Sequence, residues 1–112
     1  MDVTAERDDD VLSLGVKGRI DYATAPDFEE AVERAMAETD RALILDFEQV
    51  DFIGSAGLRV ILLKGKALRE RDVELVLCAL TDPVRGVFQV TGFDRLFSIH
   101  ATAAEARASL DA

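Results

Sequence analysis

Two near-continuous apolar runs, Ala42-Leu43-Ile44-Leu45 and Val73-Glu74-Leu75-Val76-Leu77-Cys78-Ala79, do most to limit what this chain can fold into. Each suits a strand covered on both faces rather than one with a wet side. Between them Leu58, Ile61, Leu62, Gly65 and Leu68 recur at the helical period, which predicts a helix from about Ser55 to Arg69. Upstream, Val3 to Arg7 reads as an edge strand, and Asp8-Asp9-Asp10 as a solvated turn rather than a metal site, since the spaced ligands of a calcium loop are missing. Leu12, Leu14 and Val16 then share one face at period two, and Gly18 is expected to break that run. Thr24 and Pro26 mark a helix start whose buried stripe is Phe28, Ala31, Val32, Ala35 and Met36. Asp82-Pro83 opens a third helix carrying Val84, Val87 and Phe88, and Gly92 ends it. Phe97-Ser98-Ile99 reads as a short last strand, and Thr102-Ala103-Ala104-Glu105 as the capping box of a final helix. Two strands followed by alternating helices and strands favour an α/β sheet with helices packed against it.

The chain has 112 residues, room for one domain with a real hydrophobic core. No repeat, low-complexity tract or linker interrupts it. A formal net charge of −9 disfavours a nucleic-acid backbone or an anionic membrane surface as partner. No run approaches the roughly 18 apolar residues of a membrane span, so direct membrane insertion is not expected. Met1-Asp2-Val3-Thr4 lacks the regions of a signal peptide, and the one cysteine, Cys78, cannot form an internal disulfide; a reducing cytoplasm is the expected compartment. Cys78 itself reads as a buried, inert thiol.

Ser55 stands out. It lies between Gly54 and Ala56, where an apolar strand meets an amphipathic helix. Amides at a helix N-terminus lack intrahelical partners and carry partial positive charge, so a phosphate on this hydroxyl would be received there. An ordinary N-cap serine is the commoner explanation of such a residue. Acyl-transfer and nucleotide chemistry fit less well. Ile53 occupies the position where a nucleophile elbow needs glycine, and Leu58 follows Gly57 where a Walker loop needs lysine. His100, the one histidine, has no evident triad partner and cannot make a metal site alone. No catalytic residue and no metal site are assigned.

Val50-Asp51-Phe52-Ile53-Gly54-Ser55-Ala56-Gly57-Leu58-Arg59-Val60-Ile61-Leu62 resembles the STAS family, specifically its bacterial anti-sigma factor antagonists. Gly18-Arg19-Ile20-Asp21 with Ala23-Thr24-Ala25 looks like a second signature, and Thr91 to Phe97 resembles the approach to the last strand. The resemblance spans nearly the whole chain, 1–112, as a single STAS domain, and implies a mixed sheet of four to five strands with about four helices mainly on one face. It also implies a function. The unmodified protein would bind an anti-sigma factor that is itself a GHKL-type serine kinase, releasing a sigma factor for transcription. Phosphorylation at Ser55 would end that binding, and a PP2C-type phosphatase would reverse it. The nucleotide and magnesium would belong to the kinase, leaving this chain no cofactor and no enzymatic role. Many relatives place aspartate where Gly54 sits, and serine or threonine where Ala56 sits, so Ser55 is the sole hydroxyl of the motif.

Ser55 and its helix, with Asp21, Gly54, Ala56, Gly57 and Arg59, form the expected partner surface. Arg59, Lys64, Lys66 and Arg69 make the helix locally basic. Asp21 reads either as part of that surface or as a turn aspartate, and Asp46 as the residue that ends the central strand. Phe88, Phe93 and Phe97 read as core or near-core residues, with Phe93 also a possible partner contact. Two other functions are consistent with parts of the sequence. An accessory STAS subunit of a membrane transporter would not need Ser55 modified, and a free-standing hydrolase is opposed by the missing general base.

Overall fold

The computed structural model describes residues 1–111 of the chain. Five strands form one sheet in sequence order: β1 (Asp2–Asp8), β2 (Val11–Ile20), β3 (Ala42–Ile53), β4 (Glu74–Cys78) and β5 (Ser98–His100). β1 and β2 are an antiparallel hairpin closed by Asp9-Asp10, with Asp9 at a φ of 58°. The other pairings are parallel, which requires a crossover between each pair of strands. Three helices supply them: α1 (Ala25–Ala35), α2 (Ser55–Glu70) and α3 (Asp82–Thr91). A fourth, α4 (Ala103–Ser109), follows β5.

Strand parity sorts the core into two layers. Leu12 and Leu14 of β2, Leu43 and Leu45 of β3 and Leu77 of β4 point to one face, where Phe28 and Val32 of α1, Leu58 and Ile61 of α2, and Val84 and Phe88 of α3 cover them. Val11, Ala42, Ile44, Val76 and Cys78 point the other way and meet Ala106 of α4. The two apolar runs are therefore the strands sealed on both sides. α4 starts as its sequence predicts: Glu105 N–H donates to the Thr102 hydroxyl at 3.1 Å. Gly92 ends α3 in the left-handed conformation, at a φ of 80°.

Three expectations need correction. Gly18 does not end β2; at a φ of 108° it carries a register shift, and the strand continues to Ile20. Asp46 does not end β3, which runs on to Ile53, because Phe47, Val50 and Ile53 keep reaching the core. Ser55 is not the N-cap of its helix: Gly54 takes that position, with extended backbone (φ −103°), and Ser55 is the first helical residue.

Candidate functional site

Both β-strand extensions converge on the serine. Ile20 and Ile53 are register partners at the ends of β2 and β3, and the Gly54 N–H donates to the Ile20 carbonyl at 2.9 Å. The chain thus turns into α2 beside the point where β2 turns into α1. Gly57 packs this corner, since a Cβ there would lie 2.6 Å from Ile20 Cγ2. Leu58 N–H closes the first helical turn on the Gly54 carbonyl at 3.1 Å. No side chain caps α2 and its first turn holds no acidic residue, whereas α1, α3 and α4 carry Asp27, Asp82 and Glu105 there. Ser55 is exposed on this uncompensated positive end.

Asp21 follows Ile20 directly, but its carboxylate is already engaged. Oδ1 accepts from the backbone N–H of Ala23 at 3.0 Å and of Thr24 at 3.1 Å. Oδ2 stands 3.7 Å from the Arg19 guanidinium. The Thr24 amide, more than any other neighbour, holds the Asp21 carboxyl below the usual carboxylate range. It is a turn aspartate that shapes the loop between β2 and α1. Gly54 and Ala56 are partly exposed, Arg59 is exposed one helical turn from Ser55, and Gly57 is buried. Any part Gly57 plays in recognition therefore runs through the position of the helix tip. Of the other α2 cations, Lys64 is paired with Glu33 of α1 and is not free for a partner.

Sequence position gives Arg19 no role beyond membership of the Gly18-Arg19-Ile20-Asp21 segment, and Tyr22 none. The Gly18 register shift pairs Arg19 with Phe52, and its guanidinium sits 4.2 Å above that ring. Tyr22 projects from the β2–α1 loop, 85% exposed. The strand-break signal at Gly18 hid the first, and a lone aromatic between two elements gives no period to mark the second.

The remaining candidates lie elsewhere. Cys78 is fully buried on β4; burial first, then Asp46 and Glu48, push its thiol up to about 12, so it is inert. Phe93 packs edge-on to Phe88 at 5.9 Å, a near-core position. Among the described residues, no group of three or more potential ligands could hold a metal ion, and no helix is long and apolar enough to cross a membrane. A groove of about 650 Å³ lies between the N-terminal hairpin and β3, lined by Lys17, Asp46 and Glu48, on the part of the sheet that α4 leaves uncovered. It shares no residue with the serine corner.

The serine corner is thus an exposed hydroxyl at a helix tip beside a turn aspartate, on a five-stranded mixed α/β domain. The chain belongs to the STAS domain family, which matches residues 2–106. It is 38% identical over 109 residues to BtrV of Bordetella bronchiseptica, a candidate anti-sigma factor antagonist by name, covering 97% of this chain and 93% of that protein. It is 37% identical over 94 residues to the anti-sigma-B factor antagonist of Listeria monocytogenes, covering 84% of this chain and 82% of that one. Its fold matches the anti-sigma factor antagonist SpoIIAA in the unphosphorylated form at a TM-score of 0.82, with 20% identity over 98% of this chain and 96% of that one. The phosphorylated form of SpoIIAA, from Bacillus, matches at 0.73 with 20% identity over 97% and 99%.

Proposed function

We propose that this chain, acting as one STAS domain over 1–112, is an anti-sigma factor antagonist switched at Ser55. Unmodified, it binds an anti-sigma factor of the GHKL serine-kinase type and thereby frees a sigma factor. The kinase then transfers the γ-phosphoryl group of its ATP to Ser55 Oγ, with ADP leaving and the hydroxyl proton released, and the complex separates. A PP2C-type phosphatase hydrolyses the phosphoserine and resets the switch. The chain itself binds and is modified; it catalyses nothing, and it works in the cytoplasm.

One observation carries this reading: Ser55 is exposed at the uncapped, acid-free tip of α2. A kinase can reach the hydroxyl, and the helix tip tolerates the added −1.5 to −2 charges, roughly, without unfolding. A docked partner cannot, because the phosphate must be desolvated against it. If that costs only about 3 kcal/mol, affinity falls by about two orders of magnitude. Asp21, Gly54, Ala56 and Arg59 form the surface around the switch, and Gly57 sets its height.

The test pairs intact-mass analysis of the protein from cells, with site mapping, and affinity capture by wild type, Ser55→Ala and Ser55→Glu. The expected result is one phosphoryl group mapped to Ser55, retention of the anti-sigma factor by Ser55→Ala and its loss by Ser55→Glu. Equal capture by both variants overturns the switch. Membrane components in place of an anti-sigma factor, with Ser55 unmodified, would instead favour the transporter-subunit reading.

A further inference from the structure

Beside Ser55 the polar exterior gives way to carbon. Tyr22 is 85% exposed and Leu63 46% exposed. Both line a depression of about 250 Å³ between the start of α1 and the first turns of α2, whose apolar lining also includes Ala25, Pro26, Ala56 and Val60. A single exposed apolar residue is ordinary; a tyrosine and a leucine standing over a shared apolar hollow are not. Ala56 belongs both to this hollow and to the helix tip, so the hollow and the Ser55 hydroxyl are parts of one continuous surface. Arg59 and Glu29, of opposite sign, lie at the same hollow.

We propose that this hollow is the anchor pocket for the anti-sigma factor, which inserts one apolar side chain between Tyr22 and Leu63; this rests on the function proposed above. Binding energy and switching are then divided. Tyrosine offers a large, rigid contact at little cost in conformational freedom, and such residues dominate interface energetics when desolvated. The Ser55 hydroxyl contributes little when unmodified and vetoes docking when phosphorylated, leaving the pocket itself unchanged. A second copy of this chain is the poorer occupant, because two molecules of net charge −9 repel.

Tyr22 is the only tyrosine, so growth on 3-fluorotyrosine places a single fluorine reporter on the pocket. The probe is the purified anti-sigma factor that phosphorylates Ser55, titrated without ATP. The reporter resonance should move on saturation. Tyr22→Ala and Leu63→Ala should each weaken binding by about thirtyfold, and Tyr22→Phe should retain it. Ser55→Glu should weaken binding while leaving the free-state reporter where it was. If calorimetry shows binding while the resonance stays still and both alanine variants bind like wild type, the pocket is overturned and the switch stands. If Ser55→Glu binds like wild type while Tyr22→Ala does not, the switch falls and the pocket stands. No binding by the unmodified chain overturns both.

Discussion

A methyl group on Gly57 would come within 2.6 Å of Ile20 Cγ2, 2.8 Å of Ile53 Cγ1 and 3.2 Å of the Ile20 carbonyl. Two of these neighbours are core side chains and the third is backbone, so none can yield cheaply. Gly54 differs. A Cβ there would meet the Phe52 ring at 3.4 Å, an ordinary contact, and its backbone at a φ of −103° suits any residue. The two glycines of the motif therefore do different work, one steric and one permissive. Gly57→Ala should cost about 1–3 kcal/mol by overpacking. Gly54→Asp should stabilise α2 by roughly a few tenths of a kcal/mol as an N-cap. Urea unfolding of both variants checks the contrast; a destabilised Gly54→Asp would mean that the Phe52 ring, held under Arg19, cannot accommodate the carboxylate.

The helices and strands differ in how far their sequence reveals them. The first half of β3 and β4 were legible because burial on both faces leaves a near-continuous apolar run, and α4 because Thr102 and Glu105 form its cap. The tail of β3 was not, since Asp46, Glu48 and Gln49 look like a strand end; the ladder with β2 absorbs them by a register shift between Gly15 and Lys17, which pair with Asp46 and Gln49, and by a second between Gly18 and Arg19. Nor does a capping box say which face a helix will cover, and α4 lies opposite the other three. The far end of α2 shows a further contact that no periodicity marks. A Cβ on Gly65 would lie 2.7 Å from Phe97 Cε1, and Phe97 is itself packed against Phe93 at 6.0 Å. Alanine here gains about 1 kcal/mol of helix propensity and loses about 1–3 kcal/mol to the ring. Gly65→Ala should thus destabilise the wild type but stabilise a Phe97→Leu background. A double-mutant cycle reads that change of sign, and additive effects would show that Phe97 does not set the helix's approach.

Among the described residues, acidity and burial meet at one ion pair. Most pairs here, such as Arg41 with Asp10 and Arg107 with Asp111, are exposed and contribute little. Asp40 is different: it is 3% exposed and ties three elements together. Arg7 of β1 donates from Nε to Oδ1 and from Nη2 to Oδ2, both at 2.8 Å, the Ala37 N–H donates to Oδ2 at 2.8 Å, and Arg7 also reaches the Ala35 carbonyl at the end of α1. The Arg7 hydrogen bond, aided by the Ala37 amide, holds the Asp40 carboxyl below its ordinary value, although burial pushes the other way. A carboxylate lowered in the folded state stabilises fully above its unfolded value, around 4, and loses that contribution as pH falls through the folded value. Asp40→Asn keeps the shape but sets an amide donor among donors, so it should unfold at a lower temperature at neutral pH. Acidification first relaxes the self-repulsion of a chain at −9 and then, as its 22 carboxylates protonate and leave 13 Lys and Arg unbalanced, builds positive repulsion, but it does so for wild type and variant nearly alike. The informative quantity is therefore the difference between their melting temperatures. That difference should shrink as pH drops below about 4 and nearly vanish once wild-type Asp40 is protonated; a gap that stays constant from neutral to acid would mean that side-chain shape, not charge, makes the clasp.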